Sequence, residues 1–281
     1  MTWTALIWIY LWLAGMAGGA YLAAYAVNRF TGGKNENLLQ TATIIGIPLA
    51  GIGALLLIFE LGNPIRFWHL FTQFDFVSPM SMGTWILSAW IIIAVVMVAS
   101  RWFNLLEGLR GLLSTINAVL AAALVTYTGV LLAVSSQSLW TGTVLLPALF
   151  AVSAVSTGVA ILILASTVIK SIARETVIRL AEADAIIIVV EIAVMIGYVV
   201  WLATSSGGGD ALAVITTGSM AAAFWVGVVL LALLIPFGLD LTIRGKTSEA
   251  KGVMMTIMTS SLCVIVGGLI LRWVITSGGQ L

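Results

Sequence analysis

The sequence has few of the residues on which most metal and redox sites depend. Among 281 residues there is one histidine, His69, and one cysteine, Cys263. A lone cysteine within an apolar run excludes a disulfide framework and a cysteine-based metal site. A transmembrane b-type haem needs axial ligands, usually a pair of histidines, so a single histidine excludes that cofactor. HExxH, CxxC, Walker and GxGxxG patterns are also missing, and we therefore expect neither a protein-bound metal nor a nucleotide.

Charged residues are scarce as well, at 8% of the chain, whereas 61% of residues are hydrophobic and the mean hydropathy is +1.17. A soluble domain would carry about 25% charged residues, so this chain must be solvated by lipid. Backbone polar groups in lipid have to bond within their own segment, and each long apolar run is therefore predicted to be an α-helix. About eight runs are long enough to cross a membrane: 6–28, 40–60, 80–100, 112–134, 143–169, 181–203, 214–237 and 252–275. The sequence predicts an all-α polytopic membrane protein, with residues 1–281 forming a single membrane domain.

The basic residues predict the orientation of these spans. Ten of the twelve Lys and Arg fall in the first, third, fifth and seventh connectors, and only Arg66 and Arg272 lie towards the other side. By the positive-inside rule those connectors are cytoplasmic and both termini are extracytoplasmic. The N-terminus lacks a basic region and a small-residue cleavage site, so we interpret it as a retained first span in the cytoplasmic membrane.

A polar segment joins the second and third runs and carries the only histidine. Within it or at its edge lie Glu60, Arg66, His69 and Asp75. An imidazole titrates near pH 6.5 and exchanges protons readily at neutral pH, and a guanidinium stabilises developing negative charge. Glu60 or Asp75 would hold Arg66 and His69 in position or pass protons to the aqueous phase. The alternative is that Arg66 and His69 only form a docking surface.

The sixth run contains Asp184, Glu191 and Tyr198, each seven residues from the next. Seven residues are two helical turns, so the three side chains share one face and rise by about 10 Å per step. A carboxylate in mid-membrane is costly, and Glu191 is expected to be partnered, protonated or facing water. Two interpretations remain open for this face, proton transfer and structural pairing to another helix. Arg272, near the end of the eighth run, would either reach the surface or turn inward to neutralise an anion.

Several segments together resemble one protein family. The segment ELGNPIRFWHLFTQFDFVSPMSMGTW, residues 60–85, resembles the connector between the second and third helices of the polysulfide reductase membrane-anchor family, also called NrfD-like proteins. The glycine-rich stretch Gly15 to Ala20, the Tyr127-Thr-Gly-x-Leu-Leu run followed by Leu139-Trp140, and the Gly-Gly-x-x-x-Arg run from Gly267 to Arg272 resemble the family in the same order. The compact length is similar to the short, eight-helix branch.

The resemblance implies a quinone-reactive subunit of a multi-subunit molybdopterin oxidoreductase, rather than an enzyme by itself. Such a subunit would bind menaquinone or ubiquinone beside a ferredoxin-like four-cluster iron–sulfur subunit, which connects it to the molybdopterin catalytic subunit. Tyr127 matches the quinone-contacting tyrosine of the family. The asparagine that some members use in the first helix has no counterpart between Thr4 and Gly15. With Tyr127, the expected quinone site comprises His69, Arg66, Asp75 and Glu60, and the expected proton route comprises Asp184, Glu191, Tyr198 and Arg272.

Two other functions remain open at this point. Glycines and prolines within several spans, together with the membrane acids, are also typical of secondary transporters with broken helices. A purely structural anchor for a peripheral enzyme is the second alternative. In each case the expected surroundings are membrane lipid and not nucleic acid.

Overall fold

The computed structural model describes residues 3–60, 79–134, 139–140, 142–169, 172–205, 207–245 and 252–281. Of these residues 87% are helical and none is in a strand. The helices are α1 (Ala5–Phe30), α2 (Glu36–Glu60), α3 (Pro79–Trp102), α4 (Arg110–Ala133), α5 (Leu145–Val168), α6 (Arg174–Thr204), α7 (Gly208–Thr216), a π-helix (Ala223–Leu234) that continues into α8 (Ile235–Ile243), and α9 (Val253–Gly278). Arg66, His69 and Asp75 lie outside the described residues.

Eight helical segments in the described part of the chain are long and apolar enough to cross a membrane. They are α1 to α6, the π-helix joined to α8, and α9. Aliphatic side chains cover the outer surface of this bundle, and Ile52, Ile92, Val119, Ile186 and Leu262 are each more than half exposed. The predicted all-α architecture of about eight spans is confirmed.

The seventh span differs from its predicted limits of 214–237. It covers Ala223–Ile243, because the preceding residues form the separate short helix α7, which ends at Thr216. Hydropathy does not detect this helix break, since both sides of it are apolar. Pro236 lies inside this span, in the first turn of α8, directly after the π-helix changes to an α-helix.

Helices α1 and α5 lie at the centre of the bundle. α1 contacts α2, α4, α5 and α9, and α5 contacts α1, α4, α6 and α9. Their backbones touch where they cross: a Cβ on Gly19 would lie 1.9 Å from the Ala154 carbonyl oxygen, and one on Gly158 would lie 2.1 Å from the Ala20 nitrogen. Glycine is the residue that permits such an approach. The glycine-rich stretch of the first span therefore serves helix packing.

The two ends of the bundle differ in their side chains. At one end, which we call the terminal end, Thr4 donates hydrogen bonds to the Glu60 carboxylate from both its backbone N–H and its hydroxyl. Trp3 N–H donates to Gln280 Oε1 across 2.6 Å at this same end. The opposite end, which we call the basic end, carries the seven described Lys and Arg of the odd-numbered connectors: Arg29, Lys34, Arg101, Arg110, Arg174, Arg179 and Arg244. The assignment of the basic end to the cytoplasm stays a prediction.

Candidate functional site

Tyr127 lies in the half of α4 nearer the terminal end, with 6% of its surface exposed. Its ring packs directly against Gly83 of α3, because a Cβ on Gly83 would lie 1.8 Å from Tyr127 Cζ and 2.1 Å from its hydroxyl oxygen. Gly83 belongs to the Ser-Pro-Met-Ser-Met-Gly segment that begins α3. Gly83 and Tyr127 belong to two separate segments that resemble the family, one at the beginning of α3 and one in α4. These two segments therefore meet at this contact.

A second tyrosine, Tyr10 of α1, is near enough to Tyr127 for the two phenol groups to interact electrostatically. Tyr10 is fully buried. The Tyr10 hydroxyl has no hydrogen-bond partner among the described residues. A buried tyrosine hydroxyl normally finds an acceptor, so the Tyr10 donor is not accounted for by the described contacts. The sequence reasoning did not select Tyr10, although it lies between Thr4 and Gly15, where the family resemblance directed attention.

Glu60 ends α2 at the terminal end and is bonded to Thr4. The contact joins the beginning of α1 to the end of α2, and both residues lie in an exposed environment. The expected role of Glu60 in holding Arg66 in position concerns a residue outside the described part, and it stays a prediction.

Arg272 of α9 is turned inward and is 0% exposed. Its Nη1 donates to Ser153 Oγ of α5 across 2.8 Å and to the Gly268 carbonyl across 3.0 Å, and its guanidinium carbon lies 5.5 Å from the centre of the Phe150 ring. Gly15 of α1 makes room for it, since a Cβ there would lie 3.4 Å from Arg272 Nη2. Of the two orientations left open by the sequence, the structure contains the inward one.

Glu191 of α6 supplies the acid that faces Arg272. It is 4% exposed, its carboxyl group lies near the Ser153 hydroxyl, and it interacts electrostatically with Arg272. Ser153 therefore lies between the acid and the base, and three helices meet at this point. Both interpretations of the seven-residue pattern, proton transfer and structural pairing, stay open for Glu191.

Asp184 and Tyr198 occupy the same buried face of α6 as Glu191, with exposures of 3% and 0%. The predicted alignment of the three side chains on one face is confirmed. Towards the terminal end, the Tyr198 hydroxyl donates to the Leu139 carbonyl across 2.5 Å. The adjacent Trp140 is also buried, and its Nε1 donates to the Ile275 carbonyl across 2.8 Å.

Asp240 of α8 is a further buried acid that faces Asp184. Neither oxygen of Asp240 has a hydrogen-bond partner in the described structure, and the same is true of Asp184 Oδ1 and the nearby Ser156 hydroxyl. Ser156 is close to Asp184, but the two are not within hydrogen-bonding geometry. Asp240 also lines a half-open cavity of about 530 Å³ whose other walls include Arg179 and Arg244 of the basic end. The sequence shows Asp240 after Pro236, but its electrostatic interaction with Asp184 depends on how α6 and α8 pack.

The buried polar residues of α5, α6, α8 and α9 thus form a discontinuous series along the second half of the bundle. From the basic end to the terminal end it consists of Asp240, Asp184 with Ser156, Glu191 with Ser153 and Arg272, and Tyr198. We call this series the polar track. Each of its acids belongs to a span, where burying a charge without a partner is unfavourable by about 2.5 to 3.5 kcal/mol on insertion scales. Because burying these acids is unfavourable, they are candidates for a functional role.

No group of three or more His, Cys, Asp or Glu side chains in the described residues is arranged to hold a metal ion.

Comparison with known proteins gives a consistent result over the whole sequence. Residues 1–281 match the family described as "Polysulphide reductase, NrfD". The protein is 28% identical to a polysulfide reductase chain of Wolinella succinogenes, over its whole length and 95% of that relative. It is also 28% identical to protein NrfD of Escherichia coli, over its whole length and 96% of that relative. A shorter match, 26% identical over 38% of this protein and 24% of the relative, is to a selenate reductase subunit of Mesobacillus selenatarsenatis.

The family match includes every residue of the sequence, and the described helices provide eight apolar segments of spanning length. This chain therefore belongs to the NrfD polysulphide reductase family of multi-pass membrane subunits.

Proposed function

We propose that this chain is the quinone-reactive membrane subunit of a respiratory oxidoreductase. It exchanges electrons between menaquinone or ubiquinone and an iron–sulfur subunit bound at its terminal end, which is the extracytoplasmic face of the cytoplasmic membrane. The terminal reaction takes place in a molybdopterin subunit that lies beyond the iron–sulfur subunit. The proposal is supported by family membership and by full-length similarity to a protein whose name is that of a polysulfide reductase.

One observation supports a quinone site at particular residues. The phenol groups of Tyr127 and Tyr10 are near enough to interact electrostatically. A quinone presents two carbonyl oxygens, each of which accepts hydrogen bonds, and phenol hydroxyls are suitable donors. The buried Tyr10 hydroxyl has no acceptor among the described residues, so a bound carbonyl oxygen would satisfy it. The donor set therefore fits a quinone headgroup between α1, α3 and α4. In this proposal Tyr10 takes the first-helix position for which the resemblance implied an asparagine.

The segment between α2 and α3 completes the proposed quinone site. Its flanking residues, Glu60 and Pro79, are the end of α2 and the beginning of α3, both at the terminal end. For this reason His69, Arg66 and Asp75 remain in the proposal together with Glu60. A bound quinone would supply two-electron chemistry, because its reduction to the quinol takes up two electrons and two protons and quinol oxidation releases them. The imidazole of His69 would exchange a proton with the aqueous phase, Arg66 would stabilise negative charge near the site, and the two acids would orient them.

The polar track is proposed to carry protons between the basic end and the quinone site. Asp184, Glu191 and Tyr198 are separated by about 10 Å per step, so water molecules or side-chain rotation would have to connect them. Asp240 extends the series towards the basic end through the cavity that it lines. Arg272 compensates the charge of Glu191 when that carboxylate is ionised. The alternative for Glu191 and Arg272 is structural pairing alone.

Purification of the tagged chain from its native membrane tests the assembly. Under this proposal a quinone, iron–sulfur clusters and a molybdopterin subunit are recovered together with the chain after mild detergent extraction. A structural anchor would retain the partner subunits without a quinone, and a secondary transporter would retain neither. Recovery of the chain with no redox partner under conditions that preserve other respiratory complexes would overturn the proposal.

A further inference from the structure

A half-open groove of about 830 Å³ lies at the basic end, between α1 and α6, with α5 as its floor. Its volume is within the roughly 300 to 1,000 Å³ that small-molecule sites occupy. The inner walls are apolar and are formed by Leu22, Ala26, Val155, Val159, Leu180 and Ile187. The groove follows the junction between the first four spans and the last four. It is separate from the tyrosine pair at the terminal end, and it shares only Arg179 and Ala183 with the cavity that Asp240 lines.

The groove extends through about one leaflet of a membrane. Along α6 it is lined from Glu175 to Ile187, which is about 18 Å at 1.5 Å per residue. Half of a bilayer roughly 40 Å thick, headgroups included, is about 20 Å. Deeper in the bundle the same junction is closed by packed side chains, because Leu13, Met16 and Ile188 belong to one buried cluster. The groove thus admits an acyl tail from the basic end and stops it near mid-membrane.

The mouth of the groove carries a net positive charge. Lys34 and Arg179 line it together with one acid, Glu175. Arg179 Nη2 lies 2.6 Å from Glu175 Oε1, so these two charges largely neutralise each other. Lys34 forms no ion pair with any carboxylate in the described part of the chain. One ammonium group is therefore left at headgroup depth, directly above an apolar slot.

We propose that this groove is a binding site for a phospholipid with an anionic headgroup. The acyl tail occupies the slot between α1 and α6, and the phosphate and headgroup lie against Lys34 and Arg179. Basic pockets between transmembrane helices recognise anionic lipid headgroups in this way, with about 1 kcal/mol for each Lys or Arg near the surface. Free phosphate has no tail to fill the apolar part of the groove, so the apolar walls favour a lipid. The positive charge at the mouth favours an anionic headgroup over a zwitterionic one. Such a lipid would fill the junction between the two halves of the bundle and support their packing.

The proposal is tested by native mass spectrometry of the intact protein, delipidated and then mixed with phosphatidylglycerol and phosphatidylethanolamine of identical acyl tails. The wild-type protein should retain phosphatidylglycerol preferentially. Lys34→Gln should weaken that retention by roughly fivefold, the factor that corresponds to about 1 kcal/mol per basic residue. Arg179→Gln should weaken it less, because Glu175 already offsets the Arg179 charge. The matched control is Arg29→Gln with Arg244→Gln, which removes the same charge from the same end at residues that do not line this groove.

A second variant tests the apolar slot without a change of charge. Ala26→Phe places a ring inside the groove and should reduce retention of both lipids, while the fold, checked by helical content, is kept. Loss of preference in the double variant Lys34→Gln/Arg179→Gln, with the control variant unchanged, supports the site. Equal retention of the two lipids by the wild-type protein, or retention that is insensitive to both Ala26→Phe and the charge removal, would overturn it. So would a quinone that displaces phosphatidylglycerol from this groove.

Discussion

Arg272 of α9 donates a hydrogen bond of 2.8 Å to Ser153 of α5, although the two residues are 119 positions apart in the sequence. The arginine is completely buried, and the acid that faces it, Glu191, comes from a third helix. A buried charge is tolerated when it is both paired and hydrogen-bonded. This cluster therefore fixes how α5, α6 and α9 pack, whatever else it does.

The first prediction concerns the stability of this cluster. Arg272→Gln removes the charge that interacts with Glu191 and the hydrogen bonds to Ser153 and Gly268, and losing a hydrogen bond from a charged group costs about 1.5 to 3 kcal/mol. The double variant Arg272→Gln/Glu191→Gln should lose less than the sum of the two single losses, with a coupling of roughly 0.5 to 3 kcal/mol. Unfolding in detergent, followed by helical signal, measures all four proteins. Arg244→Gln, at an exposed position, is the control and should change stability by less than about 0.5 kcal/mol. Strict additivity of the Arg272 and Glu191 losses would show that the two side chains do not compensate each other.

The second prediction concerns proton transfer along the polar track. Glu191→Gln and Asp240→Asn keep the shape of each side chain but remove its exchangeable carboxyl proton. If the track carries protons, quinone-linked turnover in proteoliposomes should fall by at least about 10²-fold, the lower limit of what a positioned proton donor contributes, or proton movement should be lost while turnover continues. Glu107→Gln, which alters an exposed carboxylate at the basic end, should change neither quantity. Full turnover with unchanged proton stoichiometry in both track variants would reduce these acids to structural residues.

The third prediction concerns the crossing of α1 and α5. A Cβ on Gly19 would lie 1.9 Å from a backbone oxygen of Ala154, and backbone atoms move only if the helices separate. Gly19→Ala should therefore lower the free energy of unfolding by about 1 to 3 kcal/mol, the usual cost of overpacking. Gly51→Ala is the matched control in α2, because a Cβ there meets no atom within 4 Å. Thermal unfolding of the two variants in the same detergent makes the comparison. Equal melting temperatures would mean that the close approach of the two helices is absent in the membrane.

The fourth prediction concerns the orientation, which rests on the position of ten of the twelve basic residues. Single cysteines introduced into a Cys263→Ser background report the side of the membrane through a membrane-impermeant maleimide. Lys34→Cys and Glu107→Cys at the basic end should be labelled only after the membrane is permeabilised. Asp210→Cys lies in α7, at the terminal end. It should be labelled without permeabilising the cytoplasmic membrane, in cells whose outer envelope lets the maleimide through. The reverse labelling pattern would place the proposed quinone site in the cytoplasm and separate it from an extracytoplasmic partner.

The spans and the polar face of α6 were predictable because lipid imposes simple rules. A helix must be long enough to cross the membrane, and a seven-residue spacing places Asp184, Glu191 and Tyr198 on one face regardless of their neighbours. The beginning of the seventh span was wrong, since hydropathy does not distinguish the short helix α7 from the span that follows it. Hydropathy reports on the side chains and not on where the backbone turns.

The contacts between helices were less predictable. Nothing in the local sequence around Tyr10 identifies it as a functional residue, because a tyrosine in an apolar helix usually only packs against its neighbours. Its importance comes from Tyr127, which lies more than a hundred residues away. Asp240 was visible as a membrane acid, but its proximity to Asp184 depends on how α6 packs against α8. The direction of the Arg272 side chain was likewise open until Ser153 and Glu191 were placed around it.

Quinone-linked turnover of the assembled complex, with Tyr127→Phe and Tyr10→Phe compared with the wild type, tests the central claim most directly. Each variant removes one hydroxyl and keeps the ring, so the packing of Tyr127 against Gly83 is preserved. Tyr25→Phe is the control, because the Tyr25 hydroxyl bonds to Thr115 near the basic end, away from the site. We expect turnover with quinone to fall by about tenfold for each site tyrosine, as for a lost hydrogen bond of about 1.5 kcal/mol. Activity with an artificial electron donor, and the subunit composition, should stay unchanged. Wild-type quinone turnover in both Tyr127→Phe and Tyr10→Phe would contradict the account.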